Sequence, residues 1–434
     1  MDTLLSLATP LLVVSLALTA AMVLLLPTRH RRDGDGNGGS TPRIAVLVLG
    51  DLGRSPRMQY HALSIARRGA VVDLIGYKGS DPRPELLNNP NVNITPLPDP
   101  PKFLDTSTPV RFILFAPLKA LWQLLTLWRL LMYTLPPTVG YILVQNPPSF
   151  PTLILARCVG ALRGIKVVID WHNFGWTILR LKLRQHPIVY LLRFYEYTMS
   201  LGTLGLSHQF TVSHSMTRHL QTHTSTALLS KLLSLSPTPI TTLHDRPPIH
   251  FTPLTSSARS TFLHTHPTTS PHATSILTGK TKLLITSTSW TADEDFTLLL
   301  SSLLFYDRHA SAHAFLHPTN PPPRILAIIT GRGDLRNHYL SLASQYEFQH
   351  VDIQSVWLEA EDYPLMIGAA DLGVSLHTSS SGLDLPMKIV DLMGVGVPVV
   401  AVRYAAVGEL VRYGVNGITV EDGGVEGEGR EMSR

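Results

Sequence analysis

Short runs of branched apolar residues, each closed by glycine or a polar turn and followed by a helical stretch, recur along this chain and constrain its fold more than any other feature. The first, RIAVLVLG (Arg43 to Gly50), is apolar without alternation, as expected of a strand buried on both faces. The next residues read as a glycine turn and a helix carrying Ala62, Ile65 and Ala66 on one face, ahead of a second strand at Val71 to Ile75. That is a βαβ unit. GYILVQ (Gly140 to Gln145), KVVID (Lys166 to Asp170) and QFTVS (Gln209 to Ser213) continue the pattern, which predicts a parallel sheet wrapped by helices.

The second half repeats it with KLLITSTSW (Lys282 to Trp290), ILAIITGRG (Ile325 to Gly333), HVDIQSVW (His350 to Trp357), LGVSLHTS (Leu372 to Ser379) and VPVVAV (Val397 to Val402). A chain of 434 residues has room for two such α/β domains. The expected division is one Rossmann-like domain over residues 43–221 and another over 281–434, with a ligand in the cleft at the carboxyl ends of the strands. Residues 222–280 are crowded with Thr, Ser, His and Pro and read as a linker or surface insertion.

Ahead of the first strand, Thr3 to Thr28 contains no charged residue, long enough to cross a bilayer, which needs about 20 apolar residues. Residues 1–28 are therefore expected to be a transmembrane helix. The cations Arg29, Arg31 and Arg32 follow it, which by the positive-inside rule places the rest of the chain in the cytosol. Residues 29–42 then have the composition of a flexible linker. A second apolar stretch, Arg111 to Leu135, carries only Lys119 and Arg129 after its first residue and suits a membrane interface.

The net charge of +5 does not point to nucleic acid, because the cations are scattered and no zinc-finger or aromatic-interleaved basic stretch occurs. Cys158 stands alone, so no intramolecular disulfide forms. His264, His266 and His272 lack metal-ligand spacing. The most suggestive loop is HTSSSGLDLPMKIVD (His377 to Asp391). Ser379, Ser380, Ser381 and Gly382 follow a strand and can turn hydroxyls and N–H groups toward an anion, and Lys388 and Asp391 lie on the next helix. A cation there neutralises phosphate and a carboxylate accepts from ribose, so a nucleoside diphosphate fits.

GDLGRSPRMQYHA, VQNPPSFPTL, IDWHNFGWTIL, HDRPP, TSTSWTADEDF, WLEAEDYPLMIGAADLGVSLHTSSSGLDLPMKIVD and ELVRYGVNG together resemble the chitobiosyldiphosphodolichol β-mannosyltransferase family of GT-B glycosyltransferases. The likeness spans Arg43 to Phe251 and Lys282 to Val420. It implies a GT-B fold and an inverting transfer of mannose from GDP-mannose to GlcNAc2-diphosphodolichol, giving a β-1,4 linkage in the lipid-linked glycan used for N-glycosylation. The implied setting is the cytosolic face of the endoplasmic reticulum membrane, with other mannosyltransferases of the pathway as possible partners. No cofactor or metal is implied.

By position in the resemblance, Gly50, Gly53, Arg54 and Arg57 would meet the acceptor diphosphate, and Asp170 or His172 would be the general base. Ser287, Thr288, Ser289, Trp290, Arg332, the Ser379 to Gly382 loop, Lys388, Asp391 and Glu409 would hold the donor. Asp293 to Asp295 read as a helix N-terminus. The alternatives are a retaining GT-B mannosyltransferase acting later on the same glycan and an inactive membrane-tethered scaffold. EDGGVEGEGREMSR stops where the resemblance predicts a further helix.

Overall fold

The structure is a computed structural model, and it describes residues 41–104, 109–202, 205–223, 231, 238–291 and 294–421. The expected membrane helix at 1–28 and nearly all of the linker at 29–42 lie outside these residues. Among the described residues, no helix is long and apolar enough to cross a membrane.

The described residues divide into two units, one of residues 41–211 with 220–241 and the other of residues 212–219 with 242–421. In the first, β1 (Arg43–Asp51), β2 (Val71–Tyr77), β3 (Val92–Leu97), β4 (Val139–Asn146), β5 (Lys166–Trp171), β6 (Leu206–Thr211) and β7 (Ile240–Thr242) form one sheet in the order β3-β2-β1-β4-β5-β6-β7. The order reverses beside β1, whose pairs with β2 and β4 are both parallel. Ala45 through Val48 are fully buried, which explains the unbroken apolar run.

Five helices pack around this sheet's candidate residues and their neighbours: α1 (Pro56–Arg67), α2 (Pro109–Arg129), α3 (Thr152–Arg163), α4 (Gly175–Leu183) and α5 (Pro187–Met199). Pro56 opens α1, where its missing N–H costs nothing. Gly164 ends α3 with φ of 69°, a left-handed turn suited to glycine. Two buried arginines on α3 stitch its neighbours together. Arg157 donates to the carbonyls of Met199 and Leu201 at the end of α5, at 2.7 and 3.1 Å. Arg163 donates to those of Leu131, Leu135 and Pro136 just past α2. Both thereby satisfy carbonyls that a helix end leaves unpaired. The stretch expected at a membrane interface has two characters: Leu127, Leu130 and Leu131 are core, whereas Leu118, Leu121 and Leu125 are exposed.

The second unit contains α6 (His214–Thr222, its first six residues) and α7 (Ser256–Thr265), then β8 (Thr281–Ser287), α8 (Phe296–Leu316), β9 (Arg324–Thr330), α9 (Arg336–Ala343) and β10 (Val351–Val356). These are followed by α10 (Asp362–Ala369), β11 (Leu372–Ser375), α11 (Met387–Gly394), β12 (Val399–Val402) and β13 (Gly417–Val420). Its sheet runs β10-β9-β8-β11-β12-β13, again parallel.

One expectation about this half is corrected. Residues 251–277 are not a linker: Phe251, Phe262, Leu263, Ala273 and Ile276 are buried in the core of the second unit with Leu283, Ile285, Met366 and Ile389. Thr255 caps α7 by accepting from Ala258 N–H at 3.2 Å. The apolar positions there are too sparse to stand out from the Ser, Thr and His that surround them.

Candidate active site

In the first unit the candidate residues lie at the carboxyl ends of β1 and β5. The Asp51 carboxylate gathers the loop after β1, accepting from Gly53 N–H at 3.1 Å and from the Ser80 N–H and hydroxyl at 2.9 and 2.7 Å. A Cβ on Gly53 would stand 2.7 Å from the Ser80 carbonyl, so only glycine lets the two loops approach. Gly50 is under no such constraint. The Arg54 side chain is 82% exposed and only loosely paired with Asp51, at 3.5 Å, which leaves it able to turn to an anion.

Arg57, expected to meet the acceptor diphosphate, is turned inward instead. Its side chain is 7% exposed, and Nε and Nη2 donate to the two oxygens of Asp170 at 2.8 and 2.9 Å. A guanidinium held this way has its planar fork already filled. The cause is Asp170, which sits at the buried end of β5 and needs a cation.

Asp170 is also ill placed as the base. Its side chain has no exposure, and besides Arg57 it takes the Nε2 atoms of His61 and His172, each 2.9 Å from the same Oδ2. Burial alone would raise its pKa, but the His172 charge and hydrogen bond, the His61 hydrogen bond and the Arg57 charge outweigh that and hold it well below the usual carboxylate range. An ionised Asp170 accepts from Nε2–H of both rings and leaves Nδ1 of each as the basic nitrogen. The His61 and His172 side chains are 16% and 23% exposed. His61 was missed from sequence. Its signal was its place on α1, one turn beyond Arg57.

A second buried carboxylate was also missed. Glu196 on α5 accepts from Gly175 and Trp176 N–H at 2.8 and 3.1 Å, capping α4, and from the Ser149 hydroxyl. Burial pushes its pKa up, and these hydrogen bonds, with one from Asn146, offset this only in part.

In the second unit the donor candidates gather where β8, β9 and β11 end. Gly331 and Gly333 allow close packing of the first two loops, since a Cβ on either would fall 1.7 or 1.8 Å from the carbonyl of Thr288 or Ser289. Thr288 donates through its hydroxyl, and Ser289 through its N–H at 3.2 Å, to Glu294, which is 3% exposed. Glu294 also pairs with Lys388, bringing the head of α11 against this loop. Of the acidic triplet, Asp295 caps α8 by accepting from Thr297 N–H at 2.9 Å, while Asp293 lies outside the described residues. Glu294 is the missed member.

The hydroxyls of the Ser379 to Gly382 loop mostly knit the loop. Ser379 Oγ accepts from Gly382 N–H at 2.8 Å and donates to Asp384, and Ser381 Oγ accepts from Leu383 N–H at 3.2 Å. Gly382, at φ of 71°, makes the turn possible. Ser380 is half-buried. The Ser287 hydroxyl lies 3.0 Å from Tyr363, whose own hydroxyl reaches Asp391 at 3.5 Å. Burial raises the Asp391 pKa, the Tyr363 hydrogen bond partly offsets this, and the Asp245 charge adds to the rise, which reaches about 7. Arg332 is exposed, its guanidinium 3.9 Å from the centre of the Trp357 ring.

Two donor candidates are reassigned. Trp290 has no exposure; it stacks on Phe296 at 4.5 Å and donates Nε1–H to the Gly331 carbonyl, so it is core. Glu409 caps α6, taking His214 and Ser215 N–H at 2.7 Å each, the Ser215 hydroxyl at 2.8 Å and His244 Nε2 at 2.9 Å. Its pKa is lowered because these hydrogen bonds outweigh burial. His214, His244 and Glu409 have ligand atoms within 4.8 Å of one another, the spacing of a metal site, but every Glu409 oxygen already serves the helix cap.

Residues 312–432 match the family described as glycosyl transferases group 1. The chain is 42% identical to a chitobiosyldiphosphodolichol beta-mannosyltransferase of Yarrowia lipolytica over 385 residues, covering 87% of this chain and 76% of that one. Its identity to the proteins of that name from Mus musculus and Homo sapiens is 38% and 37%, covering 94% and 93% of this chain and 84% and 87% of theirs. Among solved structures, an α,α-trehalose-phosphate synthase of Burkholderia vietnamiensis shares the fold, with a TM-score of 0.59 at 10% identity over 88% of this chain and 86% of that one. The two parallel-sheet units are those of a GT-B glycosyltransferase, and the chain belongs to the chitobiosyldiphosphodolichol beta-mannosyltransferase family.

Proposed function

We propose that this chain transfers mannose from GDP-mannose to a chitobiosyl-diphosphodolichol acceptor at the endoplasmic reticulum membrane, with inversion to a β linkage. The observation that carries this reading is 36–42% identity, over most of the chain, to relatives named for that reaction. The local chemistry supports it. An inverting displacement needs one base and no covalent intermediate. His172, or His61 beside it, supplies Nδ1 to take the proton of the acceptor hydroxyl. Asp170 is the positioning residue that fixes the tautomer and stabilises the imidazolium that forms, and Arg57 keeps Asp170 charged.

On the donor side, Lys388 and Arg332 offset the charge that grows on the departing diphosphate, while Asp391 accepts hydrogen bonds from ribose. Arg54 meets the diphosphate of the acceptor. This division of labour uses the chain's own cations, Lys388 and Arg332, and asks for no metal.

The test is transfer by the purified full chain in detergent, with radiolabelled GDP-mannose and a chitobiosyl-diphosphate lipid, followed by β-mannosidase digestion. A product sensitive to β-mannosidase is expected. An α-mannosidase-sensitive product, or none from a folded protein that binds GDP, would overturn the reading.

A further inference from the structure

His214, His244 and Glu409 converge within the second unit from three separate segments. His214 opens α6, His244 lies two residues beyond β7, and Glu409 ends the short turn Val407–Glu409 that follows β12. One nitrogen from each ring and one carboxylate oxygen all lie within 4.8 Å of one another, and His244 Nε2 is already 2.9 Å from Glu409 Oε2. The two rings meet edge to face with their centres 4.9 Å apart. Among the described residues no other group of three or more histidine, cysteine and carboxylate side chains comes this close.

The helix cap leaves one position open to exchange. Of the four hydrogen bonds that Glu409 accepts, three come from the first turn of α6: the N–H groups of His214 and Ser215 and the Ser215 hydroxyl. The fourth comes from a ring nitrogen, His244 Nε2, whose proton a cation can replace. The other three then fix the carboxylate, as hydrogen bonds behind a metal ligand do. His214 serves the cap through its backbone, so its exposed ring turns without disturbing it. The donor set selects the ion. Two imidazole nitrogens and one carboxylate oxygen suit Zn²⁺, which takes four ligands in a tetrahedron and accepts water as one of them. Ca²⁺ and Mg²⁺ call for roughly six or more oxygen ligands, and this trio offers a single carboxylate. Ligand atoms around a tetrahedral Zn²⁺ stand about 3.3 Å apart, so the His244–Glu409 pair opens slightly while the His214 ring swings in.

We propose that His214, His244 and Glu409 bind one transition cation of the Zn²⁺ class, which cross-links the start of α6, the segment after β7 and the turn after β12 as a structural clamp. The clamp is independent of the reaction proposed above, no step of which uses these three side chains.

The experiment uses the full chain, stripped of metal with a chelator that is then removed, and Zn²⁺ alone as the probe. Zn²⁺ is titrated against a competing chromophoric indicator, and thermal melts are run with and without the ion. Wild type should bind one equivalent and melt at a higher temperature with it, because an ion that binds only the folded form stabilises that form. His214→Ala and His244→Ala keep both the carboxylate and the backbone N–H groups of the cap. Each should weaken Zn²⁺ binding by at least about 100-fold, since even the hydrogen-bond partners of ligands are worth about 10–100-fold. Should His244→Ala melt early without the ion, His214→Ala decides, because its ring is exposed and takes no part in the cap. His313→Ala, exposed on α8, controls for adventitious binding by surface histidines and should leave the first equivalent unchanged. Co²⁺ in place of Zn²⁺ gives a second readout, since four-coordinate Co²⁺ absorbs visible light strongly and six-coordinate Co²⁺ weakly. Strong absorption that His214→Ala and His244→Ala abolish is expected. Affinity that survives both substitutions, or only weak six-coordinate absorption in the wild type, would overturn the proposal. Neither readout involves mannosyl transfer.

Discussion

Arg57 and Asp170 stand 113 residues apart in sequence and are joined by two hydrogen bonds of 2.8 and 2.9 Å in the interior of the first unit. Asp170 has no solvent exposure, so its charge is sustained by Arg57 and the two histidines that share it. Removing one partner of a buried pair leaves the other uncompensated, at a cost of about 3–5 kcal/mol. Arg57→Ala should therefore lower stability on that scale in denaturant titration, far more than Arg54→Ala at the exposed neighbour. Because the folded pKa of Asp170 is depressed, its contribution is present above the unfolded carboxylate value, about 3.9. It should be lost as pH falls below that value toward the folded one. Thermal melts across the acid range check this: wild type should lose more stability on acidification than Arg57→Ala.

His61 and His172 should separate from each other kinetically. Both donate to one carboxylate oxygen, but in the proposed reaction only the imidazole that meets the acceptor hydroxyl acts as base. Replacing that histidine by alanine should lower turnover by about 10²–10⁴ and leave GDP affinity unchanged. Replacing the other should mainly weaken acceptor binding. Equal and small losses in kcat for both variants, with the fold intact, would remove the base from this cluster.

These contacts show where sequence reasoning reached its limit. The parallel sheets were legible because strands buried on both faces write unbroken apolar runs, as Ala45 to Val48 do. The loops at the strand ends were legible because their glycines permit approaches closed to any side chain, as at Gly53 and Gly331. Pairing was not legible. Nothing local in the sequence says that Arg57 turns inward to Asp170 while Arg54 stays exposed, or that Glu294 meets Lys388 across 94 residues. Trp290 reads as a ligand because it sits in a motif, whereas its stacking on Phe296 makes it core. The helices of residues 251–277 were obscured by polar composition that covers only their outer faces.

Asp391 gives a pH prediction of definite sign. Its pKa rises from 3.8 to about 7 in the folded chain, chiefly through burial. The folded state thus holds a proton that the unfolded state has released, and stability of the ligand-free protein should fall as pH rises from about 4 to about 7, then level off. A shift of this size corresponds to at most about 4 kcal/mol. Asp391→Asn should abolish the fall. A carboxylate is a better acceptor for ribose hydroxyls than the neutral acid, so GDP affinity should strengthen as pH rises through about 7 in the wild type only. Calorimetric titration at three pH values tests both halves, and a flat profile in the wild type would contradict the assignment.

Lys388 and Glu294 form the remaining testable pair, and a double-mutant cycle can apportion their roles. Glu294 is 3% exposed and holds Thr288, Ser289 and Lys388 together, so without ligand it positions the ammonium. In the proposed reaction the leaving diphosphate becomes more negative as the donor bond breaks and draws more on the Lys388 charge. Lys388→Ala should then lower turnover by about 10²–10³, the scale of one lost electrostatic donor. It also leaves the Glu294 carboxylate unpaired beside the phosphates, which should weaken GDP binding beyond the loss of the cation. Glu294→Gln in the same background removes that repulsion and should restore part of the GDP affinity without restoring turnover. Glu294→Gln alone, with Lys388 no longer held, should reduce kcat more than it changes GDP binding. If the double variant binds GDP no better than Lys388→Ala, the pair is a structural tie between α11 and the loop after β8, and the charge that stabilises the leaving group would have to come from Arg332.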